Sequence, residues 1–127
     1  MERRERKGRI LIVERDIFTR ETIRRALEEE YELFFTDSGL EAMRLAKELE
    51  PDLIIIEPLI PGMDGFQLCL YLKGEEETRD TPILLLSMLS AKERAEQVGA
   101  DGFMLKPVNK AELREKVEKL LRSNRNK

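Results

Sequence analysis

Pro51–Phe66 reads PDLIIIEPLIPGMDGF. A Pro-Asp pair leads into four apolar residues, Leu53 to Ile56, and the run ends on a carboxylate, Glu57. A Pro/Gly-rich loop follows, Pro58 to Gly65. A short apolar run bounded by turn residues reads as a buried parallel strand. In open α/β sheets the loops at the C-terminal ends of such strands carry the binding sites. Glu57 is therefore a charged side chain aimed into the expected site of the fold.

Working outward, the same pattern recurs. Ile10–Val13 is a continuous apolar run that ends in Glu14-Arg15-Asp16. Tyr31–Phe35 is less uniformly apolar, as expected nearer a sheet edge. Ile83–Leu86 ends in Ser87, and Gly102–Leu105 ends in Lys106-Pro107. Helical stretches separate these strands. Asp16, Ser38 and Asn109 are candidate N-caps for the first, second and last helices. A third helix from near Asp64 to about Lys73 is expected to bury Phe66, Cys69 and Leu70. A short fourth, about Ala91–Val98, is stopped by Gly99. The last helix runs to about Arg122, with Leu113, Val117, Leu120 and Leu121 as its apolar stripe. Five strand–helix alternations predict an α/β fold, a parallel sheet covered on both faces by right-handed crossovers.

The 127 residues fit one domain over 1–127, with a core at 9–122, a basic arm at 1–8 and a frayed tail at 123–127. No apolar run approaches the ~20 residues needed to cross a bilayer. The charged start, MERRERKGR, is not a secretory signal. The single cysteine, Cys69, allows no internal disulfide and points to a reducing compartment, hence a cytoplasmic location. The absence of histidine excludes Ser-His and Cys-His catalysis and histidine metal sites. Net charge is −3, but residues 10–113 hold 12 basic against 22 acidic side chains, and the basic residues concentrate at the ends. No aromatic residues interleave with the terminal charges, so nucleic-acid binding by this domain is not expected.

The strand ends gather Glu14, Arg15, Asp16, Glu57, Ser87 and Lys106 on one rim. A salt-bridge network with no ligand would account for that set. The stretches ILIVE at 10–14, PDLIIIE and PGMDGF within 51–66, PILLLS at 82–87 and the GAD-G-F and Lys-Pro of 99–107 go further. Together they resemble the receiver domain of two-component response regulators, over residues 9 to about 122. The resemblance implies the flavodoxin-like, doubly wound five-stranded sheet in order 2-1-3-4-5. It implies a phospho-accepting Asp after the third strand, and two acids after the first that hold Mg²⁺ with it. It also implies a hydroxyl after the fourth strand, a switch aromatic on the fifth and a Lys followed by a cis-proline.

On this chain Ser87 and Lys106 keep the hydroxyl and cation roles. Phe103 takes the switch position without a phenol, Pro107 the cis-proline, and Glu14 the first acid. Two positions depart: the acceptor is Glu57 and the second acid is Arg15. Glu places its carboxylate ~1.5 Å farther out than Asp, and in-line transfer loses ~100-fold for an error near 1 Å. Arg15 cannot ligate Mg²⁺, which demands oxygen ligands. The expected arrangement is Arg15 paired with Glu57, Glu14 or both, in place of the metal; the other reading turns Arg15 to solvent. Asp16 either caps the first helix or swings to the rim. Lys106 comes only 19 positions after Ser87, shorter than the family pattern, which puts the usual output geometry in doubt.

The leading expectation is an atypical, unphosphorylated receiver. It acts as a protein-interaction module, is not an enzyme, and has no cofactor, Mg²⁺ binding being weak or lost. Its partners would be a histidine kinase or downstream effector, with homodimerisation open and no membrane contact. The alternative is a working Mg²⁺-dependent acceptor using Glu57. A hydrolase or nucleotide binder lacks its Gly-rich loop and nucleophile elbow.

Overall fold

A computed structural model describes residues 7–125. The strands are β1 (Gly8–Val13), β2 (Tyr31–Thr36), β3 (Leu53–Ile56), β4 (Ile83–Ser87) and β5 (Gly102–Leu105). Alternating with them are α1 (Ile17–Leu27), α2 (Gly39–Glu48), α3 (Gly65–Gly74), α4 (Lys92–Gln97) and α5 (Lys110–Arg125). All neighbouring strands are parallel and the order is β2-β1-β3-β4-β5. The expected architecture is the one observed, with the half-exposed β2 at an edge.

The central strands are apolar at every position because both sheet faces are covered. Leu11, Val13, Ile54, Ile56, Ile83 and Leu85 pack under α2, α3 and α4. Their alternates Ile10, Ile12, Leu53, Ile55, Leu84 and Leu86 pack under α1 and α5. A period of two on the strands thus feeds two separate cores. Three of the expected caps form: Asp16 accepts from Thr19 N, Ser38 from Glu41 N and Asn109 from Glu112 N.

Three expectations need correction. Leu70 is 58% exposed, and Leu68 and Leu72 are buried instead. α3 is apolar nearly all round, so its sequence does not say which side faces the sheet. α5 runs three residues past Arg122 to Arg125, because no Gly or Pro stops it, and the tail expected at 123–127 begins as helix. β1 starts at Gly8, inside the stretch read as a basic arm. The rest of that arm, residues 1–6, and the last two tail residues lie outside the described residues. The charged 74–81 connection also hides a buried hydroxyl: Thr78 Oγ1 donates to Leu72 O at 2.6 Å.

Candidate functional site

The three charged residues that meet at the rim each sit one step beyond a strand. The neighbouring strand holds each by its amide. Glu14 N donates to Thr36 O, Glu57 N to Val13 O and Lys106 N to Ser87 O, each at 2.9 Å. The sheet's own ladder therefore brings β1, β3 and β5 side chains to one point, between the first and third strands where the chain reverses its winding.

Lys106 joins them. Its Nζ lies 2.8 Å from Glu14 Oε1 and 2.7 Å from Glu57 Oε1. The remaining oxygens take backbone donors: Asp16 N reaches Glu14 Oε2 at 3.0 Å, and Leu59 N reaches Glu57 Oε2 at 2.9 Å. The Glu14 contact is one of proximity, since its Oε1 has the ammonium beside it but no aligned hydrogen-bond donor. Glu14 is 1% exposed and Glu57 5%. Burial by itself would lower the Lys106 pKa, but the two carboxylates outweigh it and hold the ammonium above its ordinary value. The group is a buried triad of one ammonium between two carboxyl side chains.

Arg15 is not part of it. The side chain is exposed and forms no ion pair among the described residues. The pairing expected with Glu57 or Glu14 is made by Lys106 instead. The fifth strand delivers its cation from within the sheet layer, whereas the chain after Glu14 has already turned outward towards α1. Asp16 caps α1 and does not join the triad, with Oδ2 accepting from Thr19 N at 2.9 Å and Thr19 Oγ1 at 2.7 Å. Those two bonds hold its carboxyl below the usual range, the hydroxyl contact contributing most. Replacing Asp16 with Ala should cost about 1 kcal/mol in urea unfolding at neutral pH. The cap's contribution is present above the unfolded carboxyl's ~3.9 and is lost as pH falls through the lower folded value, so the deficit should vanish in acid.

Glu14, Arg15, Asp16, Glu57, Lys106 and Pro107 line one cleft of about 710 Å³. The Lys106–Pro107 bond is cis, as the resemblance implied. Ser87 lies below the cleft, 1% exposed, its Oγ accepting from Leu89 N at 3.1 Å. Phe103 is half-buried opposite Leu85, on the α2–α4 side of the sheet. Sequence reasoning did not single out the apolar walls of the cleft, Phe18, Leu59, Ile60 and Met88. The signal was present: each follows the polar end of a strand within four residues.

The resemblance implies a divalent ion held by the acids of this rim. Glu14 Oε2 and Glu57 Oε2 accept backbone amides, and the Lys106 ammonium sits between the two Oε1 atoms. Asp16 is engaged as a cap. No group of three or more His, Cys, Asp or Glu among the described residues is placed to hold a metal. The arrangement does not fit a bound Mg²⁺, because the Lys106 ammonium stands between the two carboxylates that would ligate it.

The described residues include no helix long and apolar enough to cross a membrane. A family model, the response regulator receiver domain, matches residues 10–118. The DNA-binding dual master transcriptional regulator RpaA of Synechocystis is 34% identical over 118 residues, 90% of this chain and 49% of that protein. The polar-differentiation response regulator DivK of Brucella ovis is 37% identical over 82 residues, 62% of this chain and 67% of that one. The chain thus spans about half the length of the transcriptional regulator it matches. Among solved structures, the signal receiver domain of a signal transduction histidine kinase from Syntrophus aciditrophicus shares 39% identity, with a TM-score of 0.84 and 91% of each chain covered. A putative response regulator from Chloroflexus aurantiacus shares 31%, with a TM-score of 0.87, covering 92% of this chain and 99% of that one. The chain belongs to the response regulator receiver domain family of two-component signalling.

Proposed function

We propose that this receiver is an atypical one, whose site is locked by an internal salt bridge and not switched by phosphorylation. On this reading Glu57 stands in for the acceptor Asp, carries a permanent charge against Lys106 and accepts no phosphoryl group. The domain then acts in the cytoplasm as a protein-interaction module for a histidine kinase or a downstream effector. It is not an enzyme and keeps no Mg²⁺. The observation that carries the reading is the Lys106 Nζ placed 2.8 Å from Glu14 Oε1 and 2.7 Å from Glu57 Oε1, with backbone amides on the other two oxygens. A nucleophile needs a free lone pair aligned with the donor, and the metal needs oxygens away from a cation.

Incubation with acetyl phosphate and Mg²⁺, followed by intact mass, should show no labile phosphoryl gain. Beryllofluoride with Mg²⁺ should leave the melting temperature unchanged. The paired substitution Glu57→Asp with Arg15→Asp should restore a beryllofluoride-dependent shift, and Glu57→Asp alone should not. A phosphoryl group found on wild-type Glu57 overturns the reading in favour of a working Mg²⁺-dependent acceptor.

A further inference from the structure

Eight large apolar side chains are strongly exposed among the described residues. All but Leu70 fall at a strand's C-terminal end or in the first turn of the helix that follows. Such clustering on one rim is not the scatter of single exposed residues that folding tolerates everywhere. Three of them, Phe18 (84% exposed), Leu59 (61%) and Met88 (74%), wall the cleft above the triad. Its volume of about 710 Å³ lies within the ~300–1,000 Å³ of small-molecule sites. The cleft also stands at the β1/β3 reversal of strand order, where open α/β sheets bind ligands.

Charge selects the ligand class. The lining carries three carboxylates, Glu14, Asp16 and Glu57, against two cations, Arg15 and Lys106. An anion meets a net negative floor whose ammonium is already taken. A divalent ion needs several oxygens together, and the ammonium stands between Glu14 and Glu57. A neutral apolar body fills the walls but leaves the partly desolvated charge beneath it uncompensated. A second copy of the rim would set like charges face to face. One positive charge on an apolar body satisfies both layers.

We propose that the cleft binds a small organic monocation, an ammonium on an apolar or aromatic body, with the cationic end on Asp16, whose Oδ1 is not used by the helix cap, at the edge of the Glu14–Lys106–Glu57 group, and the body between Phe18, Leu59 and Met88. This rests on the reading that Glu57 is no phosphoryl acceptor. The ligand would then set the domain's signalling state in place of phosphate.

The test uses the full chain with methyl-¹³C methionine and three matched probes: 2-phenylethylammonium, 2-phenylethanol and 3-phenylpropionate. The ammonium should saturably raise the melting temperature and move the Met88 methyl signal. The alcohol should bind at least about tenfold more weakly, and the carboxylate should not bind, the difference expected for one partly buried charge. Asp16→Asn, which keeps the helix cap, should weaken the ammonium about tenfold and leave the alcohol unchanged. Glu57→Gln should weaken the ammonium severalfold, and the Asp16 variant guards against a folding defect there. Phe18→Ser should weaken both the ammonium and the alcohol.

Equal responses to all three probes, or a stationary Met88 signal, overturn the proposal. So does binding seen only with a larger Leu/Lys peptide, which would make the surface a protein-docking site. The same samples are assayed with acetyl phosphate and Mg²⁺. A phosphoryl gain overturns the reading beneath the proposal; no gain together with no ammonium binding overturns the proposal alone.

Discussion

Replacing Lys106 with Met should destabilise the protein by about 3–5 kcal/mol at neutral pH, the cost of stranding buried charge. Lys106, Glu14 and Glu57 have side chains only 9%, 1% and 6% exposed. Removing the cation leaves two carboxylates facing one another with only two backbone amides for support. Against the ~5–15 kcal/mol total of a typical domain, the variant would be marginal. The pH profile separates this mechanism from a simple packing loss. In the variant the stranded carboxyls ionise reluctantly, so their folded pKa values lie above the unfolded ones. The penalty is then full at neutral pH and lifts as pH falls. Urea midpoints should therefore rise from pH 8 towards about pH 5. Wild type should not share that recovery, because its raised Lys106 contributes stability at all pH values below the unfolded lysine's ~10.4 and loses it only as pH rises through the folded value. Adding Glu14→Gln and Glu57→Gln to Lys106→Met should recover more than half of the loss. A variant with no acid recovery would show that the triad contributes by packing alone.

The second large effect is expected at Gly65. This residue opens α3, and its amide donates to Pro58 O at 2.8 Å, closing the loop that carries Glu57's carbonyl. A β-carbon there would lie 2.5 Å from Pro58 Cα and 2.7 Å from Glu57 O. Both neighbours are backbone, which cannot swing aside as a flexible side chain can. Gly65→Ala should cost about 3 kcal/mol, the upper part of the range for overpacking. It should also shift Glu57 away from Lys106. Gly74→Ala is the internal control. Nothing lies within 4 Å of its added carbon, and it should be neutral or stabilise by about 0.4–1 kcal/mol. Equal losses at the two positions would place the effect in the unfolded chain and not in the loop.

The fold was legible because three strands are buried on both faces and so had to be continuously apolar. Helix starts were legible because Asp16, Ser38 and Asn109 are short polar side chains placed just before apolar periodicity. The members of the site were legible as strand-end residues. Their partners were not. Whether Arg15 or Lys106 reaches Glu57 depends on which way the chain leaves its strand, and one residue of offset reverses the side a residue faces. The mis-assigned Leu70 has the same root: where every residue on a helix is apolar, period carries no direction. The cleft walls were visible as residues but not as a surface, since three separate segments supply them: the start of α1 and the loops after β3 and β4.

The short α4 has a consequence for motion. Its six residues have no side-chain cap, and Ala95 is their one buried side chain. Arg94, stacked 4.4 Å from the Phe66 ring centroid and 3.7 Å from Asp64, ties it to the start of α3. A single turn and a half of helix has little cooperativity of its own. Its amides should therefore exchange with solvent through openings far smaller than global unfolding, while those of β1 and β3 wait for the whole domain. Stability in this receiver is therefore uneven: a buried charged group at one end of the sheet, and beside it a short helix held by Ala95 and by the contacts of Arg94.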